Sequence, residues 1–392
     1  MATSPILIIG GGIGGLTLAL ELAKRNIACQ VFEQAAEFSE VGAGLQLSPN
    51  AVRRLETLGL GTALSIAACT PPKIMIGDAV SKQHLNEIHL GVNAQERYKA
   101  PYMVIARRDL QSILLEALKA YECVELICNK KFITYSQNAH QITAEMTDGS
   151  HYQGRFLVGA DGVWSRVRHM FAPDQKPRQT GFMAWRAMVN ASDAPSLFTS
   201  PDVNAWLGPN SHLVHYRVCA GEKINLVAVT KGKALEKTWS DDTPKESLFE
   251  EIRPFNSALR QAVMEVPEWT AWPLMILKPF KNWSKGRAVL LGDAAHAIVP
   301  FLAQGAAMAI EDASCLGSLI AEMKDGQKDN HLTLFENYKN KRFRRCQRVL
   351  SKSIYQAQFY HAAGRLVKIR NGGLKMLPSS LLLRQYDWLY KA

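Results

Sequence analysis

The sequence predicts an α/β (α+β) fold with three parts: a parallel sheet assembled from separated segments, an inserted β-rich region and a helical C-terminus. Strand–turn–helix units recur at three places, in residues 5–24, 152–168 and 287–296. Between the last two, residues 180–275 read mainly as alternating strands. Residues 332–361 instead read as one helix rich in basic residues. The pieces of the parallel sheet therefore lie at the start, middle and end of the chain.

The first strand–turn–helix unit opens the chain. Ile6–Ile9 is wholly apolar and predicts a strand buried on both faces. Gly10, Gly12 and Gly15 follow in G-x-G-x-x-G spacing, which allows a sharp turn, backbone approach to a pyrophosphate and close packing of the next helix. Leu16–Lys24 continues as that helix, and its positive N-terminal end faces the phosphate. The unit predicts a Rossmann-like dinucleotide site.

A second strand, Ala28–Glu33, strengthens this interpretation. It ends in an acid at the distance along the chain expected to hold ribose hydroxyls. The negative charge of Glu33 would repel a 2′-phosphate. We therefore expect an ADP ribose that lacks one.

Further elements follow in chain order. Glycine, proline and Asp-Gly signals separate them. The predicted helices are Val52–Leu58, Arg107–Ala120, one near Lys245–Val266, Gln304–Lys324 and Leu332–His361. The predicted strands are Val124–Ile127, Phe132–Tyr135, Gln141–Met146, Phe156–Val158, Phe182–Val189, Ser211–Val218 and Ile224–Val229, with patchy strands in 71–101 and a hairpin turn at Asp148-Gly149.

These elements suggest three regions. Residues 1–70, 102–177 and 280–330 are assigned to the dinucleotide-binding domain, and residues 71–101 and 178–279 to a β-rich substrate domain. Residues 331–392 form a basic helical C-terminal segment.

The net charge of +11 is concentrated at the C-terminus. Residues 336–392 hold 13 Lys and Arg but 2 Asp and Glu, so the remaining chain is neutral. On a helix, Lys341, Arg345, Arg348 and Lys352 would form one basic stripe. We favour a helix docked on the rest of the protein over contact with an anionic membrane, and we expect no nucleic-acid partner.

The seven cysteines are scattered, odd in number and without a Cys-x-x-Cys pair. This pattern is typical of free thiols in a reducing cytoplasm rather than of disulfides or a metal site. The N-terminus lacks the basic leader of a secretory signal. We therefore expect a cytoplasmic protein that holds no metal.

Three motifs together resemble those of the single-component flavoprotein aromatic hydroxylases. They are residues 8–15 together with Glu33, residues 156–162 and residues 291–296. Ala184-Trp-Arg186 and residues 300–312 are similar to the salicylate and 6-hydroxynicotinate hydroxylase branch. Many relatives carry Gly and Asn at the positions of Ala303 and Met308. This chain shares its replacements with the branch just named.

The resemblance implies an enzyme that binds FAD and consumes NADH or NADPH and O2. A flavin hydroperoxide would transfer one oxygen to a small phenolic or hydroxy-aromatic acid. Such a monooxygenase would be a monomer or a homodimer.

The resemblance also implies which residues hold FAD. Asp161 would approach the pyrophosphate, and Asp293 would bond the ribityl or diphosphate region. For each of them helix capping is the alternative. Gln304, Gly305 and Ala306 would open a helix whose N–H groups face the flavin pyrimidine. The full cofactor set is Gly10, Gly12, Ile13, Gly14, Gly15, Glu33, Arg107, Gln111, Asp161, Asp293, Gln304, Gly305 and Ala306.

Candidate catalytic residues lie on the strand at 211–218. Alternation places His212 and Tyr216 on one face, where the resemblance puts the ring substrate, although that face could instead be core. Gln46 should also reach the substrate side of the flavin; some relatives carry histidine there. A substrate carboxylate could meet Arg186 or Arg217, for which a structural salt bridge is the preferred role.

His296 is interpreted as a structural part of its motif. Two rival functions stay open at this point. One is a related FAD monooxygenase acting on a larger polycyclic or isoprenoid substrate such as an antibiotic. The other is a flavin-bound module that binds a membrane or a partner and hardly turns over.

Overall fold

The computed structural model describes residues 4–38, 44–232, 245–323 and 330–391. Within these ranges the strands are β1 (Ile6–Ile9), β2 (Cys29–Phe32), β3 (Gly44–Leu47), β4 (Lys73–Asp78), β5 (His84–His89), β6 (Met103–Ala106), β7 (Val124–Ile127), β8 (Phe132–Gln137), β9 (Ile142–Met146), β10 (His151–Gly154), β11 (Phe156–Gly159), β12 (Arg178–Asn190), β13 (Val203–Gly208), β14 (Ser211–Val218), β15 (Lys223–Lys231), β16 (Thr270–Ile276), β17 (Ser284–Lys285) and β18 (Ala288–Leu290).

The α-helices of the same ranges are α1 (Ile13–Ala23), α2 (Pro49–Thr57), α3 (Gly61–Ala67), α4 (Gly91–Tyr98), α5 (Arg107–Leu118), α6 (Arg166–Phe171), α7 (Lys245–Glu251), α8 (Ser257–Glu265), α9 (Asp293–His296), α10 (Gly305–Ala321), α11 (His331–Tyr360), α12 (Arg365–Met376), α13 (Ser379–Arg384) and α14 (Asp387–Tyr390). Among the described residues, none of these helices combines the length and apolar character needed to cross a membrane.

The first large sheet has the strand order β17-β18-β11-β1-β2-β7. Its strands pair in parallel except at the β17 edge, and β1, β2 and β11 carry fully or mostly buried apolar side chains. The helices α1, α10 and α5 pack together beside it. The predicted parallel sheet assembled from separated segments is confirmed.

The second large sheet has the order β16-β12-β15-β14-β13-β4-β5. It is antiparallel except for the β13–β4 pair, which joins residues 73–89 to the later segment. The predicted β-rich region is therefore one continuous sheet built from two parts of the chain.

Several local predictions differ from the structure. The first helix begins at Ile13 rather than Leu16, because Gly15 without a side chain can approach the carbonyl oxygen of Gly10; a Cβ there would lie 2.1 Å from that oxygen. The predicted helix near 245–266 is two helices, since Pro254 has no N–H to continue the first one. The strand β13 and the helix α4 were not predicted.

The C-terminal segment is helical, as predicted, and its last helices dock on the protein. Leu382, Leu383, Leu389 and Tyr390 are buried. They pack against the core of the protein.

Candidate active site

A cavity of about 330 Å³ lies between the two large sheets. The glycine turn after β1 lines one end, and side chains of β14 line the other. Ten of the sixteen predicted site residues line this cavity: Gly12, Ile13, Gly14, Gln46, Arg107, His212, Tyr216, Asp293, Gly305 and Ala306.

Four other predicted residues do not line the cavity but form or contact the glycine turn beside it. Gly10 has a φ of +111°, and a Cβ there would lie 2.4 Å from the carbonyl oxygen of Ala160, so the turn requires glycine at this position. The Gln111 side-chain amide donates to the carbonyl oxygen of Gly11 at 3.1 Å. Glu33 accepts a hydrogen bond from the Gly11 N–H at 3.0 Å. Gly15 supplies the close approach described above.

Asp161 makes the contacts of the capping alternative. Its Oδ2 accepts hydrogen bonds from the N–H groups of Arg166 and Val167, at 2.8 and 3.1 Å, at the start of α6. Its Oδ1 is buried and has no hydrogen-bond partner among the described residues. Asp161 therefore caps a helix with one oxygen and leaves the other unused.

The start of α10 also faces the cavity. Gly305 and Ala306 line it, as predicted, so unpaired backbone N–H groups of the first helical turn lie at its edge. Gln304 is 1% exposed and points inward, where its amide donates to Ser48 Oγ at 2.9 Å. Ala303 has a φ of +52°, a conformation in which glycine is the unstrained choice.

These features fit an anionic dinucleotide. The starts of α1 and α10 point their positive ends at one cavity, together with the cation of Arg107. The glycine turn allows the backbone to approach a pyrophosphate. The set of donors suits FAD.

His212 lies on β14 with its ring in the cavity, and a second histidine contacts it. His212 Nδ1 is 2.7 Å from Nε2 of His361, which follows α11. Burial, and then the proximity of His361, hold the pKa of His212 well below its ordinary value. His212 is therefore neutral at neutral pH and retains an unprotonated ring nitrogen.

Gln46 connects two tyrosines beside His212. Its Oε1 accepts a hydrogen bond from the Tyr102 hydroxyl at 2.5 Å. Tyr216 lies on the same face of β14 as His212, and burial raises its pKa, so the hydroxyl stays protonated. The alternation predicted for β14 is correct: His215 points to the opposite face, where Trp206 Nε1 donates to its Nε2 at 3.2 Å.

The two arginines considered for a substrate carboxylate have different surroundings. Arg217 donates to the carbonyl oxygens of Thr199 and Gly221. Its role is structural, as expected, but it holds backbone carbonyls where a salt bridge was predicted. Arg186 lines the cavity, and its Nε has no hydrogen-bond partner among the described residues. Its guanidinium carbon lies 5.5 Å from the centre of the Trp272 ring.

His296 belongs to a buried polar network. Its Nε2 is 2.5 Å from Oδ2 of Asp312, whose Oδ1 accepts from Arg342 Nε at 2.6 Å. Burial opposes protonation of His296, but Cys346 and Asp312 raise its pKa well above the ordinary value. His296, Asp312 and Cys346 are three potential metal ligands within 4.8 Å, although Arg342 already supplies a positive charge to Asp312.

A family profile matches this architecture. The profile described as "FAD binding domain" matches residues 3–353. The chain belongs to this FAD-binding family. The three glycine and aspartate motifs around the cavity lie within the matched residues.

Curated relatives cover nearly the whole chain of this family member. A "3-hydroxybenzoate 6-hydroxylase 1" of Aquipseudomonas alcaligenes is 34% identical over 98% of this chain and 97% of its own length. A "6-hydroxynicotinate 3-monooxygenase" of Pseudomonas fluorescens is 32% identical over 89% and 91%. The predicted family, the FAD cofactor and the class of enzyme, an aromatic hydroxylase, are confirmed.

Solved structures share the fold. Klebsiella pneumoniae HpxO, in complex with FAD and uric acid, aligns with a TM-score of 0.86 at 22% identity, covering 98% of this chain and 96% of that one. A salicylate hydroxylase substrate complex aligns with a TM-score of 0.81 at 23% identity, covering 100% and 96%.

The sequence reasoning did not identify several residues around His212. These are His361, Tyr102, Tyr360, Tyr386 and Tyr390. Four of the five lie on helices after residue 331 or in the turns that follow them, far along the chain from β14. No local motif marks them, so only their placement in the fold could have indicated a role.

Proposed function

We propose that this protein is an FAD-dependent, NADH- or NADPH-consuming monooxygenase that hydroxylates a small hydroxy-aromatic acid. One observation carries the proposal. A single cavity joins the glycine turn and helix starts that fit FAD to His212, Tyr216 and Arg186. A phenol and a carboxylate on one ring would meet a neutral base and a cation there. The 3-hydroxybenzoate and 6-hydroxynicotinate enzymes among the relatives support this substrate class.

His212 is the proposed base for the phenol. If its Nδ1–H donates to His361 Nε2, the Nε2 of His212 is free to accept the phenol proton. Removing that proton makes the ring more electron-rich at the position to be hydroxylated. His361 then acts as a positioning residue, because it selects the tautomer and orientation of His212. Bound FAD supplies the oxidising chemistry.

Arg186 is the proposed partner of the substrate carboxylate. Burial, as the main cause, lowers its pKa, with Tyr216 acting in the opposite direction, and an anionic ligand would offset that burial. The neutral hydroxyl of Tyr216 and the amide of Gln46 would fix the ring between the two ends. Gln46 cannot take up a proton at neutral pH, so we assign it to positioning rather than to acid–base catalysis.

The remaining assignments are proposals of the same kind. We infer a cytoplasmic location, supported by seven cysteines that are all free. We keep the division into an FAD domain, a β-rich substrate domain and a C-terminal segment. A monomer or a homodimer, without nucleic acid, stays our prediction, as does the preference for docking over membrane contact of the C-terminus.

The test separates flavin reduction from hydroxylation. With a panel of hydroxybenzoates and hydroxynicotinates, the wild-type enzyme should form a hydroxylated product for each NADH or NADPH consumed. His212→Ala should lower product formation by about 10²–10⁴-fold, the usual loss when a general base is removed. Flavin reduction by the donor should survive, and the electrons of the donor should then reduce O2 to hydrogen peroxide instead of supporting hydroxylation.

Tyr216→Phe should lower the yield of product per donor, and Tyr355→Phe provides the matched control. Tyr355 is an exposed tyrosine on α11, away from the cavity. A wild-type yield of product in His212→Ala would show that His212 is not the general base. Absence of donor oxidation with every ligand would favour the non-catalytic flavin module instead.

A further inference from the structure

A recess of about 80 Å³ extends from the main cavity behind His212. Six residues line both spaces, so the recess adjoins the region that we propose for the substrate ring: Gln46, His212, Val214, Pro300, Phe301 and Ala303. It continues away from the glycine turn, toward the C-terminal helices. Any part of a substrate that projects beyond His212 would enter it.

Four tyrosines form the walls of this recess. Tyr102 precedes β6, Tyr360 ends α11, and Tyr386 and Tyr390 come from the last turns of the chain. The rings of Tyr386 and Tyr390 are stacked, with centres 5.3 Å apart and planes 12° apart. The Tyr102 ring lies 6.3 Å from Tyr390, and the Tyr360 ring meets His212 edge-on at 5.2 Å.

The C-terminal part of this wall is held firmly. Arg53 donates to the carbonyl oxygen of Tyr390 at 2.8 Å, and Arg345 donates to that of Leu389 at 2.9 Å. The Tyr98 hydroxyl donates to the carbonyl oxygen of Leu383 at 2.9 Å. Arg97 forms an ion pair with Asp387. These contacts come from three helices, α2, α4 and α11, which makes the segment a wall rather than a lid.

The chemistry of the recess is neutral. No Lys, Arg, Asp or Glu of the described chain lines it. Burial raises the pKa of Tyr102 and of Tyr386, so both hydroxyls stay uncharged at neutral pH. A carboxylate placed there would lose its hydration without gaining a cation, which is costly. The recess therefore suits an uncharged ring edge or hydroxyl.

We propose that the C-terminal segment Leu377–Lys391 closes the back of the substrate site and limits the substrate to a single ring, with its uncharged edge against Tyr386 and Tyr390. This inference rests on the proposed function, which places the carboxylate at Arg186. It would exclude the larger polycyclic substrates considered from the sequence, because a second fused ring would overlap the tyrosine wall.

The experiment removes one ring from the wall. Purified FAD-loaded Tyr386→Ala is titrated with 3-hydroxybenzoate and with 3-hydroxy-2-naphthoate, and binding is followed by the flavin absorbance change without donor. The ratio of the two dissociation constants should shift at least about 10-fold toward the naphthoate, since space for a few extra carbon atoms changes affinity by that order.

Trp388→Ala is the matched control. Trp388 lies two residues further along, and its ring stacks outside the recess under Arg348, whose guanidinium carbon is 4.2 Å from the ring centre. The control should keep the wild-type ratio. If Tyr386→Ala does not fold, Tyr386→Leu makes the same test with more of the packing retained.

An unchanged ratio of the two dissociation constants in Tyr386→Ala or Tyr386→Leu would contradict the proposal that the tyrosines limit substrate size. An equal shift in Trp388→Ala would contradict it as well. Failure of the proposed function looks different. In that case no hydroxylated product would form from any single-ring acid, while the binding ratios would still report on the wall.

Discussion

Single side chains around the glycine turn decide how the cofactor end of the cavity is shaped. Glu33 contacts the turn with both carboxylate oxygens: Oε2 accepts from the Gly11 N–H, and Oε1 accepts from the Ala35 N–H at 3.0 Å. The carboxylate thus orders the backbone next to the place where the ribose would lie. The negative charge strengthens the two hydrogen bonds that hold the turn, and it would also strengthen the bond to a ribose hydroxyl that we propose.

The first prediction is that Glu33→Gln weakens FAD binding. The amide keeps one acceptor oxygen but loses the charge, and a hydrogen bond to a charged group contributes about 1.5–3 kcal/mol. The dissociation constant for FAD, measured by fluorescence quenching on adding FAD to the apoprotein, should rise about 10-fold or more. Glu125→Gln, a change of an exposed carboxylate on the neighbouring strand β7, should leave it unaltered. Equal FAD affinity in the two variants would exclude Glu33 from the site.

At the scale of elements, α11 is joined to the middle of α10 by buried charges. Arg342 on α11 donates to Glu311 and Asp312 on α10, at 2.5 and 2.6 Å. Glu311 also accepts from Asn50 at 2.7 Å, and the Asn50 amide contacts Gln304 at 3.3 Å. A continuous polar chain thus runs from the basic C-terminal helix to the residue that precedes α10.

The second prediction concerns the stability of this connection. Arg342→Leu leaves two buried carboxylates with less compensation, and breaking a buried ion pair costs about 3–5 kcal/mol. The free energy of unfolding in urea should fall by about that amount. Arg348→Leu removes an exposed arginine from the same helix, and we expect a change of about 1 kcal/mol or less. Comparable losses in both variants would contradict a special role for the buried network.

At the scale of the whole molecule, buried ion pairs join the basic C-terminal segment to the rest of the fold. Arg342 pairs with Glu311 and Asp312, and Arg345 pairs with Glu311. The core also holds three neutral histidines, His212, His215 and His361, that are buried in the second sheet and beside it. Burial lowers the pKa of each, to about 3 for His215 and to about 4 for His361.

The third prediction follows from these histidines. A histidine has a pKa of about 6.5 in the unfolded chain, so below that pH the unfolded state binds protons that the folded state excludes. Stability from these groups is therefore complete above about pH 6.5 and falls as the pH drops toward 4. His296, whose pKa is raised, acts with the opposite sign, because the stability that it adds is lost at high pH.

His215→Gln isolates one of these contributions. Between pH 6 and 4.5, the free energy of unfolding should fall less steeply in this variant than in the wild type, by about 1.4 kcal/mol per pH unit for one proton. His140→Gln changes an exposed histidine and should keep the wild-type slope. The same slope in His215→Gln and the wild type would show that His215 is already protonated in the folded state or that the unfolded pKa is unusual.

The sequence alone determined the local units and the family. The strand–turn–helix unit at residues 6–23 is readable because the glycine spacing and the apolar run are properties of neighbouring residues. The alternation on β14 likewise placed His212 and Tyr216 on one face, since a strand has a period of two. The boundaries were less accurate: Gly14 and Gly15 lie inside α1, where close packing overrides their low helix propensity.

Only the tertiary structure decided which residues share the cavity. His212 and His361 are 149 positions apart, and Gln304 turned inward although Gly305 and Ala306 face the cavity. The tyrosine wall brings together Tyr102 and Tyr390, which are far apart along the chain. Such pairings arise because distant elements bury their apolar faces together, and no pattern among adjacent residues records which faces will meet.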